Sequence, residues 1–468
     1  MDINIPSRLQ DIEVNNDNPF ANDIFDREKY GTTLKNVVEM YAEGGGVIAI
    51  NGDWGTGKTT FVRMWSAMLE NEGFKTIYFN AWETDYYNDP LSALIAELKD
   101  ISEENESIRK VCAAAGKIGV NVAKAVIRGF FGMQLGFDSD ILKGALDETE
   151  SIMKDRIADY EEEKQSVKDF KTHLAEYVAK AEIIPLVFII DELDRCNPHQ
   201  AVKMLETIKH LFDVPNIVFV LSICRKELEN SIRGYYGSES IDACNYLRRF
   251  IDIQFELPAP TGSKFCSMLI QYYKFADYFD SNPSGGSKTD DRFSEMAELL
   301  FLTYHIDLRT WDRIFAHTRL AAIQVGSSDQ VLIELIFFLC FLKITQLDFY
   351  IDIRNNKYSM QGLIDALEEK IPFSLLEAQN ASFSSKPSNG AFILMLTELL
   401  YIYDFTLNEY NGPVLSVGKS METLNLRTTI IDNSKLVDNI KWLHRALCID
   451  KKLSFFTSKV DLTDNFKL

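Results

Sequence analysis

Residues 45–60 read GGVIAINGDWGTGKTT, and the rest of the chain is legible outward from them. Val47-Ile48-Ala49-Ile50 is a short apolar run with the length and continuity of a buried strand. It delivers Gly52 to Thr59, which fits the pattern G-x-x-x-x-G-K-[ST], and Phe61 to Leu69 then has helical spacing. These residue types suit phosphate. Glycines allow φ > 0, which turns successive backbone N–H groups inward around an anion. A helix starting at the loop adds unpaired N-terminal donors and the positive end of its dipole. Lys58 would reach the β- and γ-phosphates, and the Thr59 hydroxyl would ligate Mg²⁺. A chance glycine turn would give similar letters, but without a strand before it and a helix after it. Gly52, Asp53, Trp54, Gly55, Thr56, Gly57, Lys58, Thr59 and Thr60 are therefore the candidate nucleotide-binding residues.

A helical stretch, Tyr30–Tyr41, precedes the loop, and further strands follow it. Lys75–Phe79 reads as a strand ending at Asn80-Ala81-Trp82-Glu83. Pro185–Ile190 is a continuous apolar run of the kind buried on both faces of a parallel sheet. Ile217–Ser222 and Ile251–Leu257 complete the set, with helices at Leu91–Leu98 and Pro198–Phe212 among those between. Strands alternating with helices predict an α/β fold built on a five-stranded parallel, doubly wound sheet.

The Pro185–Ile190 strand leads into Asp191-Glu192-Leu193-Asp194-Arg195-Cys196. Two acids after an apolar run are common; two α/β units beyond a phosphate loop they are informative. Asp191 would complete the Mg²⁺ shell, and Glu192 would orient and deprotonate a water attacking the γ-phosphate. Asp194-Arg195 reads equally well as a local ion pair or as part of the catalytic set. Ser222 would either sense the γ-phosphate or bond its own backbone. Arg248 and Arg249, just before the fifth strand, are candidates for an arginine that reaches a neighbouring subunit's nucleotide. Arg309, heading a later helix, is a candidate phosphate contact from a lid. For all three arginines the plain alternative is a solvent-facing side chain.

At 468 residues the chain exceeds one ordinary core. The expected division is a phosphate-loop domain over 1–260 with an insertion at about 105–182, an α-helical lid over 261–350, and a mainly helical C-terminal extension over 351–468. Hydrophobic residues at 46% and charged residues at 25% give the balance of a soluble globular protein. The formal net charge of −20, from 69 acids and 49 bases, argues against a broadly DNA-coating surface, a local basic groove apart. Seven scattered cysteines without C-x-x-C fit reduced thiols in a cytoplasmic protein, and none of the six histidines sits in H-E-x-x-H. Met1–Pro6 lacks the basic-then-apolar pattern of a signal peptide. Val331–Ile344, the most apolar helical segment, is interrupted by Glu334 and Lys343 and is too short to span a bilayer, so a buried core helix is expected.

Within the insertion, Lys110, Lys117, Lys124 and Arg128 fall on one helical stripe, and Ile118, Val122, Val126 and Phe130 share another face. Such a helix, Ala113–Phe131, either lies on a membrane surface or a partner, or packs on the protein with a solvated basic face. The second meaning is the commoner one, so membrane contact is not favoured. Ile141–Ala181 is helical too, with Val167, Phe170, Leu174 and Val178 at spacings of three and four.

These residues resemble the KAP family of P-loop NTPases, in the additional-strand catalytic-glutamate division that includes the AAA+ proteins. The resemblance covers about residues 17–350. It rests on Asn18-Pro19-Phe20-Ala21-Asn22-Asp23, on Gly52–Thr59, on Phe79-Asn80-Ala81-Trp82-Glu83, on Asp191–Cys196 and on Tyr246–Pro258. It implies ATP binding, Mg²⁺ dependence and an α-helical lid. The family often carries transmembrane helices between its two nucleotide motifs, but residues 105–140 here are too charged and too glycine-broken to span. Cys224 stands where the family commonly has aspartate, and Asp191-Glu192 stands where it often has Asp-Asp. Bacterial relatives are often linked to phage exclusion and other defence. The expected function is a cytoplasmic ATPase that couples nucleotide state to assembly or conformational change, as a homo-oligomer or with a protein partner. A slow-hydrolysing nucleotide switch or signalling module is the alternative, and Glu192 with the large lid disfavours a small-molecule kinase.

Overall fold

The computed structural model describes residues 13–86, 89–100, 106–118, 161, 164–179, 185–259, 262–281, 287–304, 306–324, 332–371, 390–407 and 451–463. Contacts divide the chain into two compact units, Ile12–Ala259 and Pro260–Leu468, the latter grouped with Met1–Asp11. In the first unit α1 (Glu28–Tyr41) leads to β1 (Gly46–Asn51), the glycine loop and α2 (Lys58–Asn71), followed by β2 (Lys75–Asn80) and α3 (Pro90–Asp100). Helical residues 106–118 (α4) and 164–179 (α5) precede β3 (Leu186–Asp191) and a 3₁₀ turn at Leu193–Arg195. Then come α6 (Pro198–Leu211), β4 (Ile217–Ile223), α7 (Arg225–Tyr236), α8 (Ala243–Leu247) and β5 (Ile253–Glu256).

All five strands are parallel, in the order β2-β3-β4-β1-β5. The doubly wound α/β fold is visible in how the strands alternate. Ile48 and Ile50 of β1, Val187 and Ile189 of β3, and Val218 and Val220 of β4 share one core with α1 and α2, including Leu34, Val38, Phe61 and Trp65. Val47, Ala49, Phe188, Ile190, Phe219 and Leu221 share the opposite core with α3, α6 and α7. Successive strand residues face opposite sides, so a strand covered on both faces must be apolar throughout. That is why these segments read as unbroken hydrophobic runs.

The fifth strand is shorter than the expected Ile251–Leu257. Among the described residues it is an edge strand that pairs only with β1, from Ile48↔Ile253 to Asn51↔Glu256. Beyond that ladder the Val47 N–H donates to the Asp252 carboxylate at 2.8 Å, so a side chain takes the place of the next strand bond. The described parts of the insertion pack on the second core. Ile108, Val111, Ala115 and Ile118 of α4 and Phe170, Leu174 and Val178 of α5 are buried there, while Lys110 and Lys117 are exposed. The Tyr177 hydroxyl donates to the Leu98 carbonyl at 3.1 Å and ties α5 to α3. Lys124, Arg128, Val122, Val126 and Phe130 lie outside the described residues.

Among the described residues the regular elements of the second unit are all helices: α9 (Gly262–Tyr272), α10 (Phe275–Ser281), α11 (Ser287–Thr303), α12 (Leu308–Ile323), α13 (Ile333–Thr345), α14 (Leu347–Arg354), α15 (Met360–Lys370), α16 (Gly390–Leu407) and α17 (Leu453–Leu462). Residues Ile333 to Leu342 of α13 are all buried, as a helix that is apolar on every side requires. Its Glu334 lies 3.5 Å from the Arg292 guanidinium of α11. Among the described residues no helix is long and apolar enough to cross a membrane.

Candidate functional site

The register places the candidate residues at one edge. Ile50 of β1 and Asp191 of β3 both sit beside Ser222 of β4, so β4 separates the loop after β1 from the acids after β3. Both sets therefore emerge at the carboxyl ends of the strands, where open α/β sheets bind ligands. Asn51, the last residue of β1, ties this edge together. Its side chain accepts from the Arg225 N–H at 2.8 Å and donates to Glu256 at 2.7 Å.

The loop has the shape its glycines predict. Gly55 and Gly57 have φ of 73° and 83°, in the left-handed region that side chains other than glycine rarely enter. A Cβ on Gly52 would come within 3.1 Å of the Thr56 hydroxyl and 3.4 Å of the Lys58 stem. The Lys58 ammonium folds back and donates to the carbonyls of Gly52 at 2.6 Å and Asp53 at 2.9 Å. Burial lowers its pKa, and the nearby Asp194 opposes that shift most strongly, ahead of Cys224 and Asp191. Thr59 and Thr60 are half-buried in the first turn of α2, and Asp53 and Trp54 are exposed.

Asp191 is buried at the end of β3. One carboxylate oxygen accepts from the Tyr78 hydroxyl and the other from the Glu192 N–H, both at 3.0 Å. Burial, and next the Asp191 charge, raise the Tyr78 pKa, so its phenol stays a donor. Glu192 has φ of 60°, an uncommon conformation for glutamate that turns its side chain off the strand direction. Its carboxylate forms an ion pair with Arg195 at 2.8 Å and accepts from Asn80 at 3.3 Å. Arg195 in turn lies over the half-exposed Trp82 ring, 5.7 Å from its centroid.

Of the two readings of Asp194-Arg195, the local ion pair does not form. Neighbouring residues on a helical turn face different ways. Arg195 turns back to Glu192, whereas the buried Asp194 accepts a hydrogen bond from the Trp54 indole N–H of the loop. Burial raises the Asp194 pKa, against the opposing pull of Trp54 and Lys58. Ser222 is fully buried and its hydroxyl has no partner among the described residues, so the backbone bond open to it is not made. Arg248 and Arg249 are exposed just after α8, and Arg309 belongs to the other unit, exposed in the first turn of α12.

The donor set fits a magnesium nucleotide. Mg²⁺ on a phosphate loop takes most of its ligands from phosphate and water, so Thr59 and Asp191 suffice from the protein. Among the described residues no cluster of three or more His, Cys, Asp or Glu could hold a metal alone.

Residues 27–321, well over half of the chain, match the KAP family P-loop domain. The chain belongs to the KAP family. The chain is similar to the phage T7 exclusion protein of Escherichia coli strain K12, 20% identical over 265 residues. That match covers 50% of this chain and only 34% of the relative, so the chain spans about a third of that protein's length. Two solved structures of the Aeropyrum pernix ORC2 protein, in its ADP form and in ADPNP-ADP complexes, align with 14% identity and a TM-score of 0.36. The first alignment covers 99% of this chain and 96% of the other, the second 98% and 97%. A superposition that loose carries no functional weight.

Three residues of this KAP chain that motif reading missed support the site. Arg27 is buried and donates to the carbonyls of Thr56 at 3.0 Å, Gly57 at 3.4 Å and Pro258 at 2.9 Å. Desolvation lowers its pKa to about 10. It braces the glycine loop from behind and joins it to the chain leaving β5. Tyr78 and Asn80 hold the two acids from β2. Asn80 lies in a block the sequence did single out, and its place at a strand end was the available signal. Nothing local distinguishes Arg27 from an exposed helix arginine.

Proposed function

We propose that this KAP chain binds ATP with Mg²⁺ and hydrolyses it, coupling nucleotide state to assembly or conformational change. One arrangement carries the reading: the glycine loop and the Asp191-Glu192 pair share an edge of the sheet, with Lys58 in electrostatic range of Asp191 and Asp194. The left-handed loop and the start of α2 would cradle the phosphates, from Gly52 through Thr60. Lys58 would exchange the Gly52 and Asp53 carbonyls for β- and γ-phosphate oxygens. Thr59 and Asp191 would hold Mg²⁺, which when bound neutralises charge on those phosphates. Glu192 would take the proton of the attacking water. Arg248 or Arg249 would act on the nucleotide of a neighbouring copy, and Arg309 would be a phosphate contact from a helical lid. The phage T7 exclusion relative supports a role in defence against phage. A cytoplasmic location is part of the same proposal.

A second reading, a nucleotide switch that hydrolyses slowly, has its own observation. Both Glu192 oxygens are engaged, one by Arg195 and one by Asn80, so the base is occupied in this state. Phosphate release with and without Mg²⁺ separates the readings. An ATPase gives many turnovers per chain; a switch gives near-stoichiometric bound nucleotide and little free phosphate. Lys58→Ala should abolish or greatly weaken nucleotide binding in either case, and unchanged affinity in a folded variant would end both.

A further inference from the structure

The Trp54–Asp194 contact lies outside the motif chemistry and joins parts of the site that are 140 residues apart. Asp194 is buried, with 6% of its surface exposed, on the 3₁₀ turn that follows β3. Its carboxylate accepts from the Trp54 indole of the glycine loop. It is also the foremost carboxylate acting on Lys58. One side chain at the exit of β3 thus engages both the loop and the phosphate lysine. Trp54 itself is 47% exposed, so nearly half of its surface lacks packing. A large ring in that setting gains its fixed position from the polar bond at its edge.

Resting on the nucleotide-binding reading above, we propose that Asp194 is the positioning residue of the phosphate loop: through Trp54 it fixes the loop in its phosphate-receiving shape, and it serves as counter-charge to Lys58 until phosphate arrives. Asp194 does not touch the reacting atoms in this role. Without it, the Asp53–Gly55 segment, whose glycine has a left-handed backbone, loses its tie to the sheet. Lys58 then faces the loop carbonyls without the carboxylate that most opposes the effect of its burial. Ordering the loop must be supplied by the ligand, so the loss appears in affinity rather than in the rate at saturation.

The test uses the full chain, with a fluorescent ATP analogue to read binding, phosphate release to read turnover and circular dichroism to confirm the fold. Asp194→Ala and Trp54→Phe should each weaken binding by about tenfold to a hundredfold, the loss expected for one charge-assisted hydrogen bond. Maximal turnover of Asp194→Asn should change by no more than a few-fold. Because the two side chains act through one bond, the double variant should be little worse than the poorer single variant. Asp194→Asn keeps an oxygen acceptor for the indole but not the charge facing Lys58, and should recover part of the affinity. Additive losses, unchanged affinity in both single variants, or a collapse of maximal turnover in Asp194→Asn would each overturn the proposal. Lys58→Ala is the control. If it leaves binding intact, the nucleotide reading fails; if it abolishes binding while Asp194→Ala and Trp54→Phe do not alter it, only the positioning role fails.

Discussion

Replacing Glu192 by Gln removes one charge and one basic oxygen and leaves the side chain's size unchanged. A general base contributes ~10²–10⁴-fold, so turnover should fall by about that range while nucleotide and Mg²⁺ binding persist. The structural cost is separable. The ion pair with Arg195 spans 2.8 Å between side chains with 11% and 23% of their surface exposed, so it lies between a surface pair and a buried one. Its loss should cost about 1–2 kcal/mol, between the values for exposed pairs and for severed buried pairs. For a unit of this size that is a melting shift of roughly 2–8 °C. The Gln amide still offers an oxygen to Asn80, which now bonds Glu192 at 3.3 Å, so the backbone at φ of 60° keeps that support. Phosphate release below the melting transition, alongside an equilibrium binding titration, separates rate from fold. If ATP binding drives assembly, the variant should accumulate in the assembled form. A rate within a few-fold of the parent, with the stability loss as calculated, would refute Glu192 as the base and leave it a structural partner of Arg195.

Three further outcomes are expected. Arg27→Leu strips three loop and strand-exit carbonyls of their donor; it should lower the melting temperature and weaken nucleotide binding together, by about 1–3 kcal/mol in stability, and an unchanged melt would show that water replaces the guanidinium. Arg248→Ala or Arg249→Ala should lower turnover without lowering affinity if sites are shared, and mixing with Lys58→Ala should then partly restore activity; no rescue at any ratio would mean a site complete in one chain. In the second unit, burial raises the pKa of Glu398 well above the ordinary range, with the Glu334 charge adding to it and Arg292 opposing it. A folded-state pKa above the unfolded one gives stability that is present at low pH and lost as pH rises through the folded value. Glu398→Gln should therefore raise the melting temperature more at alkaline than at acidic pH, and an equal shift at both would refute that linkage.

Local patterns carried much of the fold. Val47–Ile50 and Pro185–Ile190 read as buried strands because two covered faces demand unbroken apolarity, and that demand is written residue by residue. The glycine loop was legible because left-handed backbone and close approach select glycine at Gly55, Gly57 and Gly52. Phe170, Leu174 and Val178 announced the packed face of α5 through helical spacing alone. What lay beyond the sequence was the choice of partner. Asp194 could equally have met Arg195, its neighbour; instead it meets Trp54, and Arg195 meets Glu192. Arg27 finds the carbonyl of Pro258, 231 residues away, and Asn80 finds Glu192, 112 residues away. Periodicity and turn chemistry act over a few residues. Which side chains meet depends on the order β2-β3-β4-β1-β5, and on β4 setting the acids one strand apart from the loop. Ser222 shows the limit most plainly: its residue type allowed a backbone bond, and only the packed sheet left its hydroxyl buried without a partner among the described residues.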